Sequence, residues 1–303
     1  MTPTPQGNFR VMTYNIGGGA KQFKGTVGCI TEEHRHAMTN LITKMKADIL
    51  CVQEVVQHID ADGILHSMVE HIRQAGDYEN FSYGETLSMK RHMQVKKDTM
   101  VDGLFKDWWD WSTGNALFSR WPFSRLGDEN KEGVPRNIPI FQPVLYEGNR
   151  DSDPRFAILG RIKHAPYPYV LNLHLTTLVG EHPPTSKADI IDTARLTRYH
   201  QLERILDLVK RHIIDPGYPL LLMGDFNATP DEYCIGQFLE QELGFVRLIP
   251  KNNLPTHAKA GMVDHIFFSP AERLVSYECW IENRKLARHV SDHLPVLADI
   301  IIK

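Results

Sequence analysis

Cysteine is scarce in this sequence of 303 residues, and its four cysteines, Cys29, Cys51, Cys234 and Cys279, lie far apart. Their spacing excludes a CxxC zinc site and a dense disulfide framework. Long apolar runs are also missing, since no stretch reaches the ~18 residues that span a bilayer. The polar, proline-rich start MTPTPQGNFR lacks the apolar centre of a secretory signal. We therefore expect a reduced, cytoplasmic protein without a transmembrane segment.

Positive charge is not in excess, because 34 Lys and Arg stand against 37 Asp and Glu, for a net charge of −3. Proteins that coat nucleic acid by bulk electrostatics normally carry a basic excess. The balance excludes that class, but not an enzyme that grips a few phosphates locally. No low-complexity linker divides the chain, and no coiled-coil heptad or other pattern indicates an obligate protein partner.

Short apolar runs predict strands that alternate with helices. Most runs are continuous rather than alternating, which is typical of sheets covered on both faces. The predicted strands are Phe9–Ile16, Asp48–Val52, Asn115–Phe118, Phe156–Ile162, Tyr169–Leu175, Leu220–Met223, His265–Phe268 and Leu294–Ile302. Helices are predicted over Thr31–Met45 and Asp189–His212, the second with Leu196, Tyr199, Ile205, Leu208 and Val209 along one face. This order predicts an α/β domain.

Two segments are less regular. Residues Gly127–Asp153 are rich in charge, glycine and proline, and we predict a long loop there. Segment Ser88–Trp111 contains a basic cluster followed by three tryptophans. The residues concerned are Lys90, Arg91, Lys96, Lys97, Trp108, Trp109 and Trp111.

Polar residues recur where predicted strands begin or end. In LLLMGDFNATPDE, Asp225 and Asn227 follow a buried strand, and similar positions hold Asn15, Gln53, Glu54, His174, Asp264, Asp292 and His293. Taken singly, each also fits a turn, a cap or a satisfied core residue. Together they favour a site of carboxylates, amides and histidines without a thiolate, which suits Mg²⁺ or Mn²⁺. Without a Ser or Cys nucleophile, such a set suits water attack on phosphorus.

The ordered series TYNI, QE, GNALFSR, LNLHL, GDFN, VDHIFF and SDHLPV resembles the endonuclease/exonuclease/phosphatase (deoxyribonuclease I-like) superfamily. The similarity runs from about Val11 to Ala298, nearly the whole chain. It implies one catalytic domain over residues 1–303. It also implies a four-layer α/β sandwich, with two packed mixed β-sheets flanked by helices.

The resemblance implies a role for each motif residue. Glu54 would be the principal Mg²⁺ ligand, with Asn15 beside it and Asp292 as a ligand or support of the metal. Asp225 matches the acid that orients or deprotonates the attacking water. Asn227 matches the amide that holds a phosphate oxygen.

The remaining motif residues concern the phosphate and the leaving group. His293 would donate to the charge that builds on the phosphate, and Asp264 would fix its tautomer. His174 matches the position that helps the leaving oxygen, and Asn115 matches one near the substrate phosphate. Gly17 stands where some members have an acid, so one Mg²⁺ is expected rather than two.

The motifs belong to phosphate hydrolysis and not to one substrate. The basic cluster and the tryptophans favour a nuclease that acts on DNA phosphodiesters, because they would grip phosphates and stack bases. A sphingomyelinase-type lipid phosphodiesterase is an alternative, as is a phosphatase of inositol phosphates or other small molecules. A catalytically silent scaffold is disfavoured, because every required position is filled.

Overall fold

Two mixed β-sheets lie face to face, with helices on both outer surfaces. The structure is a computed structural model, which describes residues 7–19, 32–60, 62–88, 90, 101, 105, 110–143, 146–147 and 149–303. The predicted four-layer α/β sandwich is therefore confirmed. Within those ranges, no helix has both the length and the apolar character to cross a membrane. Cys51, Cys234 and Cys279 are buried free thiols, and Cys29 lies outside the described residues.

The strands form one seven-stranded and one eight-stranded sheet in the described part of the chain. Their bounds are β1 Gly7–Asn15, β2 Ile49–Ile59, β3 Leu65–Ser67, β4 Asn80–Ser88, β5 Ser112–Ser119, β6 Phe123–Arg125, β7 Asp128–Glu132, β8 Arg136–Phe141, β9 Arg155–Ile162, β10 Tyr169–His174, β11 Leu220–Asp225, β12 Val246–Arg247, β13 Asp264–Ser269, β14 Leu274–Ile281 and β15 Val296–Ile302. The first sheet has the order β14-β15-β1-β2-β5-β4, with β3 on β2. The second has the order β12-β13-β11-β10-β9-β6-β7, with β8 on β9.

Helices cover the outer face of each sheet. Their bounds are α1 Glu32–Met45, α2 Met68–Gly76, α3 Ala188–Val209 and α4 Lys285–Val290, with π-helical segments at Lys210–Ile214 and Cys234–Glu242 and 3₁₀ turns at Gly17–Gly19, Arg150–Ser152 and Ala271–Arg273. Helices α1, α2 and α4 share an apolar core with the first sheet, whereas α3 and Cys234–Glu242 share one with the second. Ser67 caps α2, because its hydroxyl accepts from the Glu70 amide at 3.2 Å.

A third core fills the space between the sheets. Side chains alternate along a strand, so one set faces the other sheet and the next set faces the helices. In β11, Leu221 and Met223 lie between the sheets, while Leu220 and Leu222 pack toward α3. Both faces of the central strands are buried, which explains why their apolar runs are continuous.

All eight predicted strands exist, but the predicted loop over Gly127–Asp153 was wrong. This segment contains β7, β8 and the 3₁₀ turn at Arg150–Ser152. Strand β7 has the sequence DENKE and is largely exposed at a sheet edge, and in the described part of the chain β8 pairs with β9 alone. Edge strands need little apolar sequence, because one side of the strand faces solvent and charge there discourages edge-to-edge pairing.

The predicted apolar face of the long helix was partly wrong. Leu196 and Leu208 are exposed, whereas Ile205 and Val209 are buried as predicted. The buried stripe of α3 instead includes Arg198 and Gln201, which are polar and therefore gave no apolar signal. From the basic and tryptophan-rich segment, Lys90 is exposed and Trp111 is half-buried. Its other members, Arg91, Lys96, Lys97, Trp108 and Trp109, lie outside the described residues.

Candidate active site

The stripes of side chains between the two sheets end in polar residues at one end of the sandwich. Strands β10 and β11 are parallel and place His174 opposite Asp225, while antiparallel β13 places Asp264 opposite Asp225. Asn15 ends β1 in the facing sheet, and its amide donates to Asp225 Oδ2 at 2.9 Å. The strand registers therefore bring four of the predicted site residues together.

Glu54 enters this group through a β-bulge. We predicted that this strand ends at Gln53 and Glu54, but β2 continues to Ile59. Between Val52 and Val55, which both pair with β5, β2 has one residue more than β5. Glu54 has a left-handed backbone, with φ +54°. Its Oε1 accepts from the Asn15 amide at 3.1 Å and lies 3.9 Å from His174 Nε2. A bulge re-aims one side chain without changing the rest of the strand.

The GDFN segment is shaped by close backbone packing. A Cβ on Gly224 would lie 2.0 Å from the Leu173 carbonyl oxygen, so only glycine fits there. Asp225 Oδ1 accepts from the Asn227 main-chain amide at 2.9 Å and closes the turn. Asn227 has φ +50°, and its side-chain amide donates to the Leu175 oxygen at 2.9 Å. The turn thus ties the ends of β10 and β11 together.

Asp225 is a buried carboxylate with a raised pKa. Burial and the negative charge of Asp264 raise the pKa of Asp225 to about 6, against the opposing effects of His293 and the bonds from Asn15 and Asn227. Its Oδ2 lies 3.6 Å from His174 Nε2 and 3.8 Å from His293 Nε2. A carboxylate whose pKa is close to neutral can exchange a proton with water.

His293 and Asp264 form a buried pair. His293 Nδ1 donates to Asp264 Oδ2 at 2.8 Å, while Asp264 Oδ1 is buried and has no hydrogen-bond partner within the described ranges. Burial would lower the pKa of His293, but the charges of Asp264 and Asp225 outweigh it and raise the pKa to about 10. The ring is therefore an imidazolium at neutral pH, with its Nε2–H directed toward Asp225.

His174 is a neutral imidazole whose Nε2 is already engaged. Arg155 Nη1 lies 3.1 Å from this nitrogen, and arginine has no acceptor, so Nε2 accepts and the ring proton is on Nδ1. Burial and the charge of Arg155 hold the pKa of His174 well below its usual range. His174 has no proton on Nε2 to give to a leaving group in this arrangement.

Asp292 and Asn115 occupy the periphery of the group. Asp292 is half-exposed, and a Cβ on Gly17 would lie 3.3 Å from its Oδ1. Its Oδ2 lies 3.7 Å from His257 Nε2, and this ring, with His293, holds the pKa of Asp292 well below its usual range. Asn115 is buried in β5 and donates to the Phe156 oxygen at 2.8 Å, a contact that joins the two sheets.

A layer of buried polar side chains lies between the two sheets next to the site. Gln53 donates to Asn172 Oδ1 at 2.7 Å and to Thr13 Oγ1 at 3.2 Å, between the sheets. Asn172 donates in turn to main-chain oxygens of Val52 and Ala116 at 3.1 and 2.9 Å. Gln53 is therefore a structural residue beneath the site, which its position next to Glu54 did not reveal.

The donor set fits a divalent cation. Two groups of three described side chains bring potential ligand atoms within 4.8 Å of one another, namely Asp225, Asp264 and His293, and His257, Asp292 and His293. Glu54 is half-exposed, and its Oε1 accepts from the uncharged Asn15 amide. Carboxylate and amide oxygens without thiolates suit a hard cation. Asp264 Oδ1 has no hydrogen-bond partner among the described residues, so a buried acceptor oxygen remains available beside this donor set.

Residues 12–293 match the family model described as "Endonuclease/Exonuclease/phosphatase family". The chain belongs to this family. Members of the family are generally hydrolases that use divalent metals. Among curated proteins, no sequence matches the chain.

Solved structures with low sequence identity share the fold of this family member. An endonuclease/exonuclease/phosphatase from Beutenbergia cavernae has 18% identity and a TM-score of 0.65, over 97% of this chain and 72% of that one. The human Nocturnin catalytic domain with bound sulfate has 18% identity and a TM-score of 0.59, over 97% and 94% of the two chains. Truncated Caenorhabditis elegans TDP2 has 16% identity and a TM-score of 0.54, over 97% of both chains.

Sequence reasoning missed two side chains of this family member's site, Arg155 and His257. Arg155 is buried, and its guanidinium also lies 3.8 Å from Asp153. His257 packs its ring 4.8 Å from that of His293. Neither residue follows a strand in a pattern that suggests chemistry. The single signal in the sequence is the position of His257 shortly before the VDHIFF segment.

Proposed function

We propose that this chain is a divalent-cation-dependent phosphodiesterase that activates water with Asp225. The observation that carries the proposal is the position of Asp225 Oδ2, 2.9 Å from Asn15 Nδ2, 3.6 Å from the neutral His174 and 3.8 Å from the charged His293. A carboxylate with a raised pKa thus lies between the proposed metal ligands and an imidazolium. Paired groups whose pKa values are moved apart are typical of acid–base sites.

The proposed cation is Mg²⁺, with Mn²⁺ as a substitute, and its ligands are Glu54, Asn15 and Asp292. When bound, it would polarise a phosphate oxygen and lower the pKa of water. Asn15 also orients the carboxylates, because its amide donates to both Glu54 and Asp225. The left-handed backbone of Glu54 turns this carboxylate toward Asn15.

In the proposed reaction, Asp225 orients the attacking water and accepts its proton. His293 donates Nε2–H to the charge that develops on the phosphate, and Asp264 keeps the ring charged and oriented. The amides of Asn227 and Asn115 would hold phosphate oxygens with the N–H groups that remain after their bonds to Leu175 and Phe156. As the water oxygen bonds to phosphorus, the bond from phosphorus to the leaving oxygen breaks. That oxygen would accept a hydrogen bond from His174 Nδ1–H, because Nε2 accepts from Arg155, and it would take its proton from solvent.

We propose DNA as the substrate, with cleavage of its phosphodiester bonds. The support is the sequence of the segment Ser88–Trp111, whose basic and aromatic residues suit backbone gripping and base stacking. The same tryptophans would suit insertion into a lipid headgroup layer, so a sphingomyelinase-type activity is the second candidate function. A phosphatase of inositol phosphates would need more basic residues at the pocket.

The test is nicking of supercoiled plasmid DNA by the purified protein with Mg²⁺. Nicking should disappear with EDTA and in Asp225→Ala, and it should persist in Asp207→Ala, which replaces an exposed acid of α3. If the plasmid stays intact while bis-p-nitrophenyl phosphate is hydrolysed, the result supports phosphodiesterase activity and contradicts DNA as the substrate. Sphingomyelin and inositol phosphates are then the next substrates. If no phosphoester is cleaved with Mg²⁺ or Mn²⁺, the proposed function is wrong.

A further inference from the structure

His257 lies on a short loop that contacts the candidate active site. The loop closes by reciprocal main-chain bonds between His257 and Gly261, of 2.9 and 3.0 Å. The main chain of His257 also forms a β-bridge to His293, and the Leu294 amide donates to the Thr256 oxygen at 2.7 Å. The loop therefore keeps the His257 side chain beside His293, the proposed hydrogen-bond donor to the phosphate.

The loop fixes the tautomer of the His257 ring. Its Nδ1 lies 3.2 Å from the main-chain amide of Lys259 and 2.9 Å from that of Ala260. Main-chain amides can only donate, so Nδ1 is an acceptor and carries no proton. The neutral ring therefore carries its proton on Nε2.

The fixed proton lies on the ring nitrogen that faces Asp292. Nε2 lies 3.7 Å from Asp292 Oδ2, which is longer than a hydrogen bond, and 17% of the side chain is exposed. The ring is tilted by 47° against that of His293, at 4.8 Å between centroids. Among the described residues, the nearest carboxylate oxygen to this Nε2–H is the distant Asp292 Oδ2, so a small anionic oxygen group could accept from both the His257 and the His293 rings.

The same tautomer argues against metal binding by His257. His257, Asp292 and His293 are close enough to hold one ion, but a metal needs a ring nitrogen with a free lone pair. Nδ1 uses its lone pair on Lys259 and Ala260, and Nε2 carries the proton. Coordination through Nε2 would move the proton to Nδ1, where it would oppose two main-chain N–H groups.

We infer that His257 is a substrate-binding residue, whose Nε2–H donates to a non-bridging phosphate oxygen beside His293. The inference rests on the proposed function, because it names the group of the substrate that this side chain contacts. The ligand chemistry is an anionic phosphate oxygen, and the role is a hydrogen bond made through a preset tautomer. Donors fixed before binding lose little freedom when the ligand arrives.

Two variants separate the donor from the loop contacts. His257→Asn retains an acceptor for the Lys259 and Ala260 amides but cannot reach as far as Nε2. His257→Gln reaches the Nε2 position with an N–H donor but loses the acceptor at Nδ1. His200→Asn, which changes an exposed residue of α3, is the matched control. Binding of inorganic phosphate and of Mn²⁺ is measured by titration calorimetry, with KM and kcat for bis-p-nitrophenyl phosphate.

We expect His257→Asn to weaken phosphate binding and raise KM about tenfold, the size of one hydrogen bond to a charged group. His257→Gln should recover part of this loss, and Mn²⁺ affinity should stay unchanged in both variants. Equal phosphate binding in wild type and His257→Asn overturns the inference, as does a wild type that binds no phosphate. A loss of Mn²⁺ affinity in both variants overturns it in favour of a metal ligand.

The failure of the proposed function is distinguishable from the failure of this inference. A wild type that hydrolyses no phosphodiester but binds phosphate more tightly than His257→Asn contradicts the proposed reaction and supports the inference. Hydrolysis by the wild type at a KM that His257→Asn does not change supports the reaction and contradicts the inference.

Discussion

Arg155 Nη1 donates to His174 Nε2 at 3.1 Å, and this contact fixes the tautomer of the histidine and, together with burial, keeps the ring neutral. Arg155 is buried, and its Nε has no partner among the described residues. The positive charge of this guanidinium disfavours a second positive charge on the adjacent ring, so the contact favours neutral His174.

Replacement of Arg155 by Met should raise the pKa of His174 toward its usual value. The charge of Arg155 is, after burial, the next cause that lowers this pKa, and the substitution removes it. Nitrogen NMR of the wild type should show a ring protonated at Nδ1 and neutral at pH 7. Arg150→Met changes a nearby exposed arginine and serves as control. An unchanged His174 titration in Arg155→Met would show that Arg155 does not set its charge.

Magnesium should stabilise the folded protein through Glu54. A cation that binds only the native state adds about 2.7 kcal/mol at a concentration 100-fold above its dissociation constant. Glu54→Gln removes the half-exposed carboxylate and should lose most of the rise in Tm with Mg²⁺, measured by differential scanning calorimetry. Glu272→Gln, in an exposed 3₁₀ turn, should retain it. An equal rise in Tm for both variants would contradict the assignment of Glu54 as the ligand.

The His293–Asp264 pair should make stability depend on alkaline pH. The pKa of His293 is raised in the folded state to about 10, so its contribution is complete below the unfolded value of about 6.5 and is lost as pH rises through about 10. In EDTA, the free energy of unfolding of wild type should exceed that of His293→Asn at pH 7, and the difference should shrink toward pH 10. Urea denaturation at several pH values measures it. A constant difference would mean that the ring is neutral when folded.

Arg198 should be a major determinant of the stability of the loops beneath the site. It is 1% exposed and donates to Glu181 Oε1 at 2.6 Å and to Glu232 Oε2 at 2.8 Å, joining α3 to the segments after β10 and β11. Arg198→Met leaves two buried carboxylates without a cation, at a cost of about 3–5 kcal/mol. Urea denaturation should show this loss, whereas Arg195→Met, exposed on the same helix, should be within about 0.5 kcal/mol of wild type. A loss below about 1 kcal/mol in Arg198→Met would contradict the prediction.

Residues close in sequence supplied most of what could be predicted. All eight predicted strands, the two predicted helices and the four-layer class are present, because continuous apolar runs and helical periodicity act over a few residues. The catalytic roles of Asp225, Asn227, His293, His174 and Asp264, the metal roles of Glu54, Asn15 and Asp292, and the phosphate role of Asn115 stay predictions. The structure brings most of these side chains together, and it places Asn115 in a contact between the sheets.

The sequence by itself determined which strands are buried and which polar residues end them, since alternation and turn chemistry are local properties. Tertiary structure decided which of these ends meet. The bulge that turns Glu54 toward Asn15 depends on pairing with β5, and the contact between Arg155 and His174 depends on how β9 lies against β10. The fixed tautomer of His257 depends on a loop closed against Gly261 and held on His293. Such contacts join residues far apart in the chain, so no periodicity in the sequence can report them.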